Sequence, residues 1–231
     1  MSDRLSIETP DGAFGAYVAR PTAAKAPAVV VIQEIFGVNR VMREVCDRLA
    51  GAGYLAVCPD LFWRLEPGVD ITDQSQAEWD KAFDLMSRFD VDRGVEDIRA
   101  TIDQVRGSDG CSGKVGAIGY CLGGRLAYLA ATRTDSDASV GYYGVGIETY
   151  LAEAGRLAHP LMLHIAEEDG FVPKAAQALI TGALKDHPQV TLHSYPGCDH
   201  AFARPGGAHY DAAAAAGADA RSLAFFKQHL G

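Results

Sequence analysis

An apolar run that turns abruptly into a helix is the strongest constraint in this sequence. Lys114-Val115-Gly116-Ala117-Ile118 reads as a buried strand, and Arg125-Leu126-Ala127-Tyr128-Leu129-Ala130-Ala131 reads as a helix. Between them Gly119-Tyr120-Cys121-Leu122-Gly123-Gly124 allows a tight turn, with Cys121 at its apex and a glycine two residues to either side. Such a turn is strained, and a Cβ at either glycine would crowd the cysteine. Cys121 thus stands where a nucleophile elbow usually presents serine. The start of the helix favours a thiolate at Cys121 through its dipole. The N–H of Leu122 can donate to an oxyanion. The competing reading is a buried, inert structural cysteine.

Strands and helices alternate along the rest of the chain. Leu5–Thr9 and Phe14–Ala19, joined through Pro10-Asp11-Gly12, read as a hairpin. Ala28–Ile32 is a continuous apolar run, as expected of a strand covered on both faces. Tyr54–Cys58, Ala138–Gly144, Pro160–Ala166 and Val190–Tyr195 read as further strands. Helical patterns cover Arg40–Ala50, Gln76–Ser87, Arg93–Val105 and Pro173–Lys185, with a final helix within Tyr210–Leu230. Residues 63–75, rich in Pro, Gly and Asp, read as an irregular, cap-like surface loop. The alternation predicts an α/β fold: a mostly parallel sheet with helices on both faces, in one domain over residues 1–231.

The order of the remaining chemistry fits the elbow. A nucleophile on such a turn is followed in the chain by an acid and then a histidine. Glu167, Glu168 and Asp169 lie just past the strand Pro160–Ala166, and any of the three can be that acid. Asp169 is placed best, on the turn before Pro173. His200 lies in the loop after Val190–Tyr195. It can take a proton from the thiol or from water while the acid fixes its tautomer. An ordinary loop histidine is the alternative.

Composition excludes several other classes. The chain has 231 residues, enough for one large α/β domain with a sizeable core. No apolar run reaches transmembrane length. Met1-Ser2-Asp3-Arg4 begins no basic region followed by an apolar stretch, so no signal peptide is expected and the cytoplasm is the expected location. Cys46, Cys58, Cys111, Cys121 and Cys198 are odd in number and widely spread, suggesting neither a disulfide framework nor a zinc site. A formal net charge of −9 argues against nucleic acid. It says little about a small anionic substrate, because local charge in a cleft can oppose the global sign.

Five motifs together carry a family resemblance over nearly the whole length. They are Gln33-Glu34-Ile35-Phe36-Gly37-Val38-Asn39, Cys58-Pro59-Asp60-Leu61, the Gly119–Gly124 elbow, Gly141-Tyr142-Tyr143-Gly144-Val145-Gly146, and His200-Ala201-Phe202-Ala203-Arg204. The chain resembles the dienelactone hydrolases, also called carboxymethylenebutenolidases. The resemblance implies a single-domain α/β-hydrolase fold and a Cys121, Asp169, His200 triad, in a family tied to the degradation of aromatic compounds. It implies that Glu34 holds the resting thiol protonated and takes its proton when substrate binds. A carboxylate near a thiol raises the thiol pKa, which limits oxidation of the idle enzyme. The N–H of Ile35 is expected to join that of Leu122 as the oxyanion hole. Arg204 is expected to hold a substrate carboxylate through its guanidinium fork, and Phe36 to contact substrate.

One departure stands out. The family has a second carboxylate-binding arginine on the helix after the irregular loop, and a tyrosine four residues on. Spacing back from Phe89-Asp90 puts Trp79 and Phe83 at those positions, with Lys81 and Arg88 expected on other helix faces. The pocket is therefore expected to be more apolar and less cationic there, which weakens the case for dienelactone itself. Trp79 and Phe83 line the pocket or pack in the core.

The sequence thus predicts a cysteine-dependent hydrolase of a lactone or small activated ester, acting on a carboxylate-bearing substrate. No metal or organic cofactor is expected, nor a nucleic-acid or membrane partner, and the chain is read as a monomer. The alternative is a non-catalytic ligand-binding or redox-sensing protein on the same fold.

Overall fold

The computed structural model describes residues 3–231; Met1 and Ser2, the start of the N-terminal stretch considered above, lie outside the described residues. Its strands are β1 (Asp3–Thr9), β2 (Gly12–Ala19), β3 (Ala26–Ile32), β4 (Leu55–Pro59), β5 (Cys111–Tyr120), β6 (Ala138–Tyr142), β7 (Leu161–Ala166) and β8 (Val190–Tyr195). Its α-helices are α1 (Arg40–Gly51), α2 (Gln76–Arg88), α3 (Val91–Arg106), α4 (Leu122–Arg133), α5 (Lys174–Leu184) and α6 (Ala212–Leu230). The strands form a mostly parallel sheet in the order β1-β2-β4-β3-β5-β6-β7-β8. Contacts divide the chain into two compact units, Met1–Gly116 and Ala117–Gly231.

In the first unit, β1 and β2 form the antiparallel hairpin, and β2 pairs antiparallel with β4. Nearly every residue of β3 and every residue of β4 is buried, as the continuous apolar runs require. Asn39 caps α1, its Oδ1 accepting from Met42 N at 3.1 Å, and the helix buries Met42, Val45, Cys46 and Leu49. Asp90 caps α3, which buries Val95, Ile98, Ile102 and Val105 at helical spacing. Residues 63–75 are irregular, as expected, but anchored. Asp60 accepts from Phe62 N at 3.1 Å and from Gly68 N at 2.6 Å, and Val69 is buried. Gly37 bridges Asp70, and a Cβ on Gly37 would lie 1.9 Å from the Val69 carbonyl oxygen.

In the second unit, β6, β7 and β8 pair in parallel register. All of β6 is buried, and both α4 and α6 pack against it, while α5 packs against β8. Strand β6 ends at Tyr142 rather than Gly144, because Tyr143 turns to a φ of 38°. A 3₁₀ helix over Ile147–Arg156, which the sequence pattern does not mark, follows. A buried polar network ties β6, β7 and β8 to α6. Nδ1 of His164 lies 2.8 Å from the Tyr195 hydroxyl and its Nε2 lies 3.0 Å from the Ser222 hydroxyl. The Tyr142 hydroxyl meets Ser222 at 2.7 Å and donates to Asp219 at 3.0 Å, and Arg221 donates to the Tyr195 hydroxyl at 2.9 Å. Burial holds the His164 pKa down at about 3, with the nearby His193 and Arg221 charges acting in the same direction.

Candidate active site

Cys121 joins β5 to α4 with φ 56° and ψ −114°, a conformation that L-residues avoid. Strain of this kind costs on the order of 1–3 kcal/mol and persists where its surroundings over-determine it. Here they do. The Cys121 N–H donates to Tyr142 O at 3.1 Å, and the Cys121 carbonyl accepts from Gly124, Arg125 and Val145 at 3.0, 3.3 and 3.3 Å. A Cβ on Gly119 would lie 1.9 Å from the Gly123 carbonyl oxygen, and one on Gly124 would lie 2.4 Å from Tyr142 O. Glycine is required because backbone packs directly on backbone. Leu122 opens α4, so its N–H belongs to the first turn, where the helix provides no acceptor.

The loops after β7 and β8 bring Asp169 and His200 together. Both Asp169 carboxylate oxygens lie near His200 Nδ1, at 3.0 and 2.9 Å. The acid is buried, and its Oδ1 also accepts from Phe171 N at 2.8 Å and Val172 N at 3.1 Å. Glu168 pairs with exposed Lys174 at 3.0 Å. Of the three candidate carboxylates, Asp169 is the one that meets His200 Nδ1. The His200 ring also shares a hydrogen bond with the Cys121 side chain. Burial opposes protonation of His200, but the Cys121 sulfur and then the Asp169 carboxylate outweigh it, carrying the pKa up to about 10. The ring is held edge-on by Tyr143 at 5.1 Å and by half-exposed Phe171 at 4.8 Å, centroid to centroid.

Arg204, on the His200 loop, is buried rather than solvated. A Cβ on Gly207 would come within 3.0 Å of its Nε, so the glycine leaves room for the guanidinium.

The first unit holds the other expected positions. Glu34 is 1% exposed, two residues past the end of β3. Its neighbour Gln33 staples this exit, donating to Glu34 O at 3.3 Å and accepting from Leu61 N at 3.0 Å. Ile35 and Phe36 follow, both buried. Trp79 meets Phe36 edge-on at 5.1 Å, stacks on Phe83 at 5.4 Å, and donates its indole N–H to Asp73 O at 3.0 Å. Phe83 is 43% exposed, so it is not a core residue. Lys81 pairs with Glu66 and Arg88 with Asp84, each at 2.5 Å.

Tyr143, Phe171 and Asp199 contact His200 without having been marked as site residues in the sequence. Tyr143 lay within a quoted motif, and Asp199 directly precedes His200; Phe171 carries no signal of its own. Among the described residues, no group of three His, Cys, Asp or Glu side chains could hold a metal ion. Nor is any helix among them long and apolar enough to cross a membrane.

Comparison with known proteins gives a consistent picture. The sequence profile described as "Dienelactone hydrolase family" matches residues 14–230. A protein of Azospirillum brasilense is 52% identical over 232 residues, covering 96% of each chain. The carboxymethylenebutenolidase of Pseudomonas putida is 42% identical over 226 residues, covering 97% of this chain and 96% of that one. A crystal structure from Klebsiella pneumoniae superposes with a TM-score of 0.86 at 28% identity, covering 99% of this chain and 98% of the other.

Proposed function

The chain belongs to the dienelactone hydrolase family, and from that premise we propose that it hydrolyses a carboxylate-bearing lactone or small activated ester, with Cys121 as nucleophile. The observation that carries this reading is the hydrogen-bonded series Cys121, His200, Asp169 beginning at a strained elbow. The Cys121 thiolate attacks the acyl carbon, and the carbonyl electrons move onto oxygen. The N–H groups of Leu122 and Ile35 receive that oxyanion. Collapse re-forms the carbonyl and expels the enolate or alkoxide, which takes up the proton that Glu34 received from the thiol, leaving a thioester. His200 then takes a proton from water, hydroxide adds to the thioester, and the thiolate departs and recovers that proton from the imidazolium. Asp169 fixes the ring and stabilises its imidazolium. Glu34 is assigned the proton of the resting thiol, a role its burial beside the β3 exit supports.

Arg204 is the proposed anchor for the substrate carboxylate. One charge-assisted pair contributes about 1.5–3 kcal/mol, or roughly ten- to hundred-fold in affinity. In the first unit, Trp79, Phe36 and Phe83 form an apolar cluster that we propose as substrate-contacting, in place of a second cation.

The test is turnover of matched lactones and esters with and without a carboxylate. Cys121→Ala is expected to abolish hydrolysis with the fold intact, Cys121→Ser to retain little, and Glu34→Gln to lose most of it. Arg204→Ala is expected to raise KM for carboxylate substrates and to leave neutral ones nearly unchanged. Near wild-type turnover by Cys121→Ala would refute the mechanism. A preference for neutral esters that survives Arg204→Ala would remove the anionic-substrate assignment alone.

A further inference from the structure

The loops carrying Asp169 and His200 are joined by a second carboxylate. Beyond the β7–β8 ladder, Glu167 N donates to Tyr195 O at 3.1 Å and Glu168 N donates to Cys198 O at 2.9 Å. Past Glu168 this backbone pairing ends, and the Asp199 side chain takes over. Its Oδ1 accepts from Gly170 N at 2.9 Å and from His200 N at 2.6 Å. The three successive amides of the acid turn are thus divided between two carboxylates. Gly170 N goes to Asp199, while Phe171 N and Val172 N go to Asp169. The other Asp199 oxygen lies 3.4 Å from His209 Nδ1, and the same nitrogen lies 3.3 Å from His200 O.

From this geometry we infer that Asp199 is a positioning residue that fixes the separation and angle between Asp169 and His200. The inference rests on the triad assignment proposed above. The Asp169–His200 contact joins two side chains with their own rotational freedom. Asp199 instead fastens backbone to backbone, on the residue after the acid and on the histidine itself. One oxygen holding both amides sets the spacing of the loops without touching substrate or the reacting atoms. The same contacts keep Asp199 ionised. Burial alone would raise its pKa, but the Gly170 and His200 amides, and the neighbouring His209 and His200, lower it.

The experiment compares Asp199→Ala with Asp199→Asn, whose amide oxygen can still accept from both N–H groups. Three readouts are taken on each full-length variant. They are kcat and KM for p-nitrophenyl acetate, hydrogen exchange at the Gly170 amide, and the downfield proton resonance of His200 Nδ1–H. Asp199→Ala is expected to lower kcat about ten- to hundred-fold with KM nearly unchanged, as for a small misplacement of catalytic groups. Its Gly170 amide is expected to exchange faster, and its His200 resonance to broaden. Asp199→Asn is expected to restore all three. Wild-type kcat with a protected Gly170 amide in Asp199→Ala overturns the inference, as does an Asn variant as impaired as the Ala variant. If Cys121→Ala proves as active as wild type, the triad assignment fails instead, and the exchange and resonance readouts still decide whether Asp199 joins the loops.

Discussion

At the residue scale, the Cys121 sulfur governs His200. Burial alone would lower the histidine pKa, and the Cys121 contribution is the first of those that raise it to about 10. Cys121→Ala is therefore expected to bring the His200 pKa down substantially, as read by ring-nitrogen NMR titration; an unchanged value would mean Asp169 alone sustains the protonated ring. Gly124→Ala tests the elbow from the other side. With Tyr142 O only 2.4 Å from the new Cβ, the backbone must shift. A loss of about 3 kcal/mol or more in urea unfolding is expected. These residue-level features differ in how far the sequence revealed them. The elbow was legible because glycine spacing and a strand-to-helix switch are local properties. The preference for Asp169 over Glu167 and Glu168 rested on turn placement alone, since three carboxylates within three positions differ only in how the turn aims them. The burial of Arg204 is not reported by any local hydrophobic pattern.

At the element scale, four helices open on a capping side chain: Asn39, Ser75, Asp90 and Asp211 each accept from amides of the turn they open. The 3₁₀ helix over Ile147–Arg156 was not legible in the sequence, because it begins with Gly146 at φ 87°, has no side-chain cap and buries only Ile147. On α2, Trp79 and Phe83 stack but have different duties. Trp79 meets buried Phe36 and holds the preceding loop through Asp73 O, whereas Phe83 is largely exposed. Trp79→Ala is expected to destabilise by about 1–3 kcal/mol, and Phe83→Ala by about 0.5 kcal/mol or less, by chemical denaturation. If Phe83→Ala raises KM while leaving stability alone, its exposure serves substrate rather than folding.

At the scale of the whole molecule, two histidines set opposite limits on pH stability. His200 is raised in the folded state, from 6.5 to about 10, so its contribution is fully present below pH 6.5 and is lost as pH rises toward 10. His164 is lowered, from 6.5 to about 3, so its contribution is present above pH 6.5 and is lost as pH falls toward 3. Their combined contribution peaks near pH 6.5. Each slope is limited to about 1.4 kcal/mol per pH unit for one proton. Denaturant melts across pH are expected to lose the acid-side slope in His164→Gln and the alkaline-side slope in His200→Gln, each without the other. The neutrality of His164 has a further source in the C-terminal helix. Ser222 of α6 meets one ring nitrogen directly, while Arg221 reaches the Tyr195 hydroxyl that meets the other. Helix α6 thus acts as a dielectric wall behind the acid-bearing strand. A protease cut that released it would hydrate the ring and turn a chemically silent histidine into an ordinary titrating base.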